Sequence, residues 1–485
     1  MHTPLALFVV LSGVSGPAPV APPAPVAPVP ASRQLAWQDL ETCAFVHFGP
    51  NTFTGKEWGK GTEDPAIFKP TDLDCRQWCR VFRDAGMKGV VVTAKHHDGF
   101  CLWPSRFTAH TVAASPWKDG QGDVLRQLSD ACREYGLRFG VYLSPWDRNH
   151  PLYGTGEPYN EAYRGQLREV LTGYGPVFEV WFDGACGEGP NGKRQVYDFP
   201  SFESVVRECQ PDAVMFSDVG PDIRWVGNEE GEAGETNWGM MNTAGHGRGN
   251  DNPPAHRALY SGELEGERWI PAECDVSIRP GWFWRENEND SVKSAEKLFD
   301  LYERSVGRNG SLLLNVPADQ RGLIHEVDAA RLMEMRRLID ATYGHDLAAG
   351  RSAIASNVRG SDDRFAAGNV TDGDATTYWA TDDSTTTAAV EIDLGGTFEV
   401  DRVMLQEAIA LGQRIEAFHL ELRVDGTWMD AGQGTTVGHK RIMITPRVKA
   451  DAVRVTIDRA RACPTLTRVG VFATPADPRA AAAGP

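Results

Sequence analysis

Over roughly 300 residues, from about position 34 to position 343, short apolar segments alternate with amphipathic ones, and no other feature limits the fold as strongly. Residues 43–48, 89–94, 137–143, 177–182, 213–217 and 311–316 read as strands. Residues 77–85, 123–135, 161–174, 202–208 and 296–306 read as helices. Segment 89–94 is almost wholly apolar, so a strand there is buried on both faces. Gly86, Gly136 and Gly175 stand where three of the helices must stop. Strand then helix, repeated this often, requires a parallel sheet with helical crossovers, and this length suits an α/β fold closed as a (β/α)8-like barrel.

Polar and aromatic residues gather at the ends of these strands. His47 closes one, His96 and His97 another, Tyr142 and Trp146 a third, and Asp183 a fourth. In a barrel those ends form one ring at the C-terminal face, where active sites sit.

Past Tyr343 the helical period stops. Residues 390–394, 400–406, 418–424, 441–444 and 452–457 read as short alternating strands separated by turns, which predicts an all-β jelly-roll sandwich of about 125 residues. The chain therefore divides into a barrel at 34–346, a sandwich at 347–475 and a Pro- and Ala-rich tail at 476–485 that is expected to be disordered. Residues 1–33 combine a signal-peptide-like apolar run (Leu5 to Val14) with an extended Pro/Ala-rich linker, so the expected location is secreted or extracytoplasmic. No later apolar run approaches the roughly 20 residues of a membrane span. A net charge of −17 argues against a nucleic-acid partner. The nine cysteines are scattered and read as small buried hydrophobes with at most one or two bridges.

Segment 179–184 is the sharpest chemical signal. It places Asp183 at the end of an apolar strand, with Gly184 allowing a sharp exit. Such a carboxylate can attack an anomeric carbon, cap a helix or bind a metal. A partner acid is expected from segment 224–235. Glu229, after the Gly227-Asn228 turn and near Trp225, is the leading choice, and spacing alone does not separate it from Glu230, Glu232 and Glu235. His96 and His97 can contact sugar hydroxyls, ligate a metal with His47 and Asp98, or make structural hydrogen bonds.

Together, segments 45–49, Glu57-Trp58, 95–99 and 180–184 resemble, in order and rough spacing, the α-L-fucosidases of glycoside hydrolase family 29. The resemblance implies a retaining double displacement without a catalytic cofactor, acting on a fucosylated oligosaccharide or glycoconjugate. Asp183 matches the nucleophile, and His47, Glu57, Trp58, His96, His97, Tyr142 and Trp181 match residues lining the fucose pocket. Segments 225–229 and 274–282 resemble the subfamily that acts on α1,3/1,4-linked fucose, which would make Glu229 the acid/base. Trp58, Phe48 and Trp282 are available as an apolar niche for the sugar's methyl group. Segments 369–379 and 390–395 resemble the coagulation factor 5/8 type C domain and the family 32 carbohydrate-binding modules. There Asp372, Asp374 and Thr377 look like a structural calcium loop, and a plain Asx turn is the alternative. Trp379 reads as core. Two rival functions remain at this stage: a non-catalytic fucose-binding lectin, and a metal-dependent barrel hydrolase using His96, His97 and Asp183.

Overall fold

A computed structural model of the chain describes residues 20–248, 252–477, 479 and 481. The signal-peptide-like run lies outside the described residues, as does most of the tail. Eight parallel strands close a barrel: β1 (Thr42–Val46), β2 (Gly89–Lys95), β3 (Arg138–Leu143), β4 (Glu179–Trp181), β5 (Val214–Ser217), β6 (Ile223–Trp225), β7 (Ala272–Ser277) and β8 (Gly310–Asn315). They follow chain order around the barrel, and β8 pairs back onto β1. α1 (Ser32–Gln38) lies at the barrel's N-terminal face and sends Trp37 to Glu179, whose Oε2 accepts the indole N–H at 3.0 Å.

The crossover helices form where the sequence supplies both stripe and stop. α2 (Cys75–Asp84) buries Cys75, Trp78, Cys79 and Phe82, the i, i+3, i+4, i+7 face, and starts on Asp74, whose side chain accepts from the Arg76 N–H at 2.9 Å. Burying Phe82 is worth about 1.5–3 kcal/mol. α3 (Val124–Tyr135) is capped by Asp123 and ends on Gly136, left-handed at φ 71°. α4 (Glu157–Gly173), α5 (Phe199–Cys209), α6 (Ala295–Ser305) and α7 (Glu326–Tyr343) complete the outer layer.

The barrel is irregular between β5 and β7. Residues 218–222 alone join β5 to β6, with no crossover helix. Between β6 and β7 the chain makes a long excursion containing the antiparallel pair Met240–Met241/Arg268–Trp269 and the helix His256–Ser261. The sequence reading had neither β6 nor β7 as a strand. β6 is three residues long, and β7 carries Glu273, Asp275 and Ser277 at alternate positions, so neither looks like a buried strand.

The second domain is a six-stranded antiparallel sheet of β9 (Ala353–Ala355), β10 (Ala388–Gln406), β11 (Ile415–Val424), β12 (Thr427–Gly434), β13 (Arg441–Ala460) and β14 (Arg468–Phe472). The order is β9-β10-β13-β11-β12, with β14 against β10, and a two-stranded pair Trp379–Ala380/Thr465–Leu466 stands beside the sheet. Segments 390–394 and 400–406 are one long strand rather than two, as are 441–444 and 452–457. Register shifts near Asp393 and Val400 let the chain bend without breaking. Trp379 is fully buried and donates to the Asn357 carbonyl at 2.9 Å. In the 372–377 turn, Asp372 accepts from Asp374 N at 2.8 Å and from the Thr377 hydroxyl at 2.7 Å, around Gly373 at φ 80°.

The domains meet through a shared apolar contact. Met404, Ile442 and Phe472 of the sandwich pack into the cluster that surrounds the barrel. Arg402 meets Glu303 of α6 at 2.6 Å, and Tyr343 donates to the same carboxylate at 2.6 Å. Residues 20–30 are not a free linker. They run across the sandwich, where Arg359 donates to Ala21 O, Arg414 to Ala24 O and Arg364 to Val20 O, at 2.6–2.7 Å. Proline cannot donate, so this strap is held mainly through its carbonyls, with the Val26 N–H donating to Leu411 O at 2.9 Å. All nine cysteines are free thiols, including Cys79 and Cys132, whose sulfurs are 3.8 Å apart.

Candidate active site

A hollow of about 430 Å³ opens at the C-terminal ends of the strands. Asp183, just past β4, and Glu229, in the loop after β6, both line it. Asp183 is 24% exposed and fixed at both oxygens: Tyr142 donates to Oδ2 at 2.8 Å and the Ala185 N–H to Oδ1 at 2.7 Å. The two donors fix the direction of the carboxylate. Glu229 is exposed at the rim, like Glu230, but it lines the hollow, and Trp282 Nε1 donates to it at 3.3 Å. Partial burial, and then the charge of Asp183, raise its proton affinity above that of an ordinary glutamate. The other three candidates do not line the hollow. Glu232 pairs with Arg304 at 3.2 Å, Glu235 faces Arg308 at 3.6 Å, and Glu230 is exposed on the turn.

On the β1–β3 side three imidazoles pack edge to face with aromatic rings. His47 lies 5.1 Å from the Trp282 ring and 5.6 Å from His96, and His96 stacks 5.8 Å from Tyr142. Asn315 Nδ2 donates to the Trp282 carbonyl at 2.9 Å, so its oxygen is the atom facing His47 Nδ1 at 2.8 Å. His47 therefore carries its proton on Nδ1 and leaves Nε2 as an acceptor. Burial lowers its pKa to about 3, against the support of Asn315. Burial likewise lowers His96 and His97. All three are neutral at neutral pH, and each can donate through one nitrogen and accept through the other. His97 Nδ1 donates to the Ser144 hydroxyl at 2.8 Å, which in turn donates to Trp146 O. The buried His96 Nδ1 has no protein partner.

Glu57 receives the Trp282 backbone N–H at 2.6 Å and a guanidinium N–H of Arg285. It thus ties the 55–58 loop to the segment that presents Trp282. Trp58 is 55% exposed and stands edge-on to His97 and Trp146, each ring 5.7 Å away. Trp181 stacks on Phe216 at 3.8 Å and donates to Glu273 at 2.9 Å. Phe48 does not reach the site. It points outward into the core, against Phe68 and Trp78, because it follows His47 on an alternating segment; Phe283 fills the apolar side of the imidazole group instead. Glu273, Asp275, Asn315 and Arg285 are supporting residues that the sequence reading missed. Acids at two alternate positions, Glu273 and Asp275, with Ser277 next in the same register, were the available signal.

Among the described residues no group of three or more His, Cys, Asp or Glu is placed to hold a metal ion. The imidazoles pack against rings rather than converging on a point. A larger groove of about 840 Å³ at the barrel's opposite face contains none of the predicted site residues.

The family model described as Alpha-L-fucosidase matches residues 34–342, and that of the F5/8 type C domain matches residues 352–467. The chain is 42% identical over 448 residues to Alpha-L-fucosidase 1 of Arabidopsis thaliana, covering 92% of this chain and 87% of that one. The crystal structure of SpGH29 superposes with a TM-score of 0.87 at 40% identity, covering 94% of this chain and all (100%) of that one. A Ruminococcus gnavus GH29 fucosidase in complex with fucose superposes with a TM-score of 0.86 at 35% identity, covering 95% and 98%.

Proposed function

The chain belongs to the α-L-fucosidase family, and from that membership we propose that it hydrolyses terminal α-L-fucosides with retention of anomeric configuration, using Asp183 and Glu229. The observation that carries the reading is that these two carboxyl groups, from separate strands, line one hollow, the first oriented by two donors and the second biased toward its acid form. Retention needs that division of labour. Asp183 attacks the anomeric carbon and forms a glycosyl ester while Glu229 gives its proton to the departing glycosidic oxygen. A water then enters, Glu229 takes its proton, and the resulting hydroxide attacks the same carbon and frees Asp183. The neutral imidazoles of His47, His96 and His97 suit the sugar hydroxyls. The rings of Trp58, Trp282 and Phe283 suit its C–H face and methyl group.

The likeness of segments 225–229 and 274–282 to the α1,3/1,4-acting subfamily supports that linkage. A panel of α1,2-, α1,3- and α1,4-fucosylated oligosaccharides tests it, together with an aryl fucoside. Turnover of the α1,3 and α1,4 members is expected. Fucose binding with no turnover of any substrate would make the protein a lectin. Export rests on the apolar run before residue 20, and N-terminal sequencing of the mature protein checks it. Calcium at the Asp372–Thr377 turn is part of the same proposal. Its two carboxylates and one hydroxyl are hard oxygen donors of the kind calcium takes, although in this structure they bond to one another and to the turn backbone, and a fall in melting temperature on chelation is the expected sign.

A further inference from the structure

The inward face of β7 builds much of the bowl. Glu273 accepts the indole N–H of Trp181 and Asp275 that of Trp225, each at 2.9 Å. Ser277 donates to Gly281 O at 2.7 Å and accepts from Asn315, the partner of His47, at 2.8 Å. Three alternate residues of one strand thus hold three parts of the site. Two of those parts belong to the sugar-binding group already described. The Trp225 indole does not, and Asp275 has no other assigned task although it is 3% exposed and lines the hollow beside Asp183 and Glu229.

The position of the hollow indicates what Trp225 faces. The imidazoles come from the β1 and β2 ends, whereas the hollow is walled by residues of β4, β5, β6 and β7 and the loops that follow them. It runs from the nucleophile toward Glu229. A general acid must touch the leaving oxygen, so the group that departs lies on its side. The flat indole of Trp225 suits the C–H face of a pyranose there. Burial, and then the neighbouring Glu229, push the Asp275 carboxyl well above the usual carboxylate range. Its acceptor oxygen is the one the Trp225 indole uses.

We propose that Asp275 is a positioning residue for the leaving-group half of the site: by anchoring the Trp225 indole it fixes the surface on which the sugar next to fucose rests while Glu229 delivers its proton. This rests on the reading of Glu229 as the acid.

A double-mutant cycle on the full chain tests it, using Asp275→Leu, Trp225→Phe and both together, with Asp275→Asn as the conservative variant. Asp275→Leu and Trp225→Phe should each lower kcat/KM on an α1,3-fucosylated trisaccharide by about tenfold, mainly through KM, and the double variant should lose no more than either. An aryl fucoside, which lacks the second sugar, should change by less than about threefold. Asp275→Asn keeps an oxygen for the indole and should stay within about threefold of the parent on both substrates, with the same pH profile. A multiplicative loss of about a hundredfold in the double variant, or an Asn variant as impaired as the Leu variant, would overturn the proposal. Should Asp275→Leu fail to fold, Trp225→Phe decides alone, since an unchanged KM for the trisaccharide also overturns it. Failure of the Glu229 reading shows elsewhere, as equal losses on both substrates in Glu229→Ala.

Discussion

Asp183 and Glu229 differ in what surrounds them more than in what they are. Asp183 receives two hydrogen bonds that fix the direction of its carboxylate. Glu229 receives one long one, and desolvation, then the nearby Asp183 carboxylate, raise its proton affinity. Replacing Asp183 with Asn keeps the shape and removes the nucleophile. Hydrolysis should fall by about 10⁴-fold or more while fucose still binds, as calorimetric titration would show. Glu229→Ala should cost about 10²- to 10⁴-fold on oligosaccharides and far less on an aryl fucoside with a good leaving group. The alkaline limb of kcat/KM follows loss of the Glu229 proton. Because that proton is held more tightly than in an ordinary glutamate, the limb lies above about pH 4.3, and Glu229→Gln should flatten what activity is left. A limb unmoved in that variant would assign the proton to another group.

The strand is the unit at which the polar interior of this barrel makes sense. Glu179 of β4 and Glu273 of β7 meet inside it, each also holding an indole, Trp37 and Trp181 respectively. Burial raises both, Glu179 to about 7, so the pair keeps a proton between them at neutral pH. A carboxyl whose folded pKa is raised stabilises the fold while protonated. That contribution is complete below the unfolded value of about 4.3 and disappears as pH rises through about 7. Melting temperature should therefore decline between about pH 5 and pH 8, and Glu179→Gln should remove roughly 2–5 °C of that decline. Calorimetry across this range would show it. A parallel decline in parent and variant would place the titrating group elsewhere. β7 also shows the limit of reading strands by apolar pattern: Asp275 lines the hollow and Glu273 meets Glu179 inside the barrel, and no periodicity rule for a core anticipates that.

At the scale of the whole molecule each domain has its own core, and the two meet through a shared apolar contact. Met404, Ile442 and Phe472 are buried against the barrel, each worth about 1.5–3 kcal/mol when covered. Arg402 satisfies the buried Glu303, which would otherwise lose its cation. A chain cut after residue 346 should melt at least about 5 °C lower than the full chain or aggregate on purification. Equal melting temperatures by calorimetry would show the sandwich to be an independent appendage. The strap at residues 20–30 works in the same direction, since three arginines bind its carbonyls.

The sequence by itself determined the barrel, the sandwich and the place of Asp183, because apolar period, glycine stops and strand-end polarity are local properties of the chain. It also singled out, through resemblance to a family, the histidines and tryptophans that the structure gathers at the barrel mouth. Only the tertiary structure decided which of four glutamates shares a hollow with Asp183, that Phe48 turns away from the sugar, that a Pro-rich linker lies flat on the sandwich, and that β7 supports the site. Each of these depends on which residues distant in sequence meet, and on the charge and burial created when they do. A pattern read along one chain carries neither.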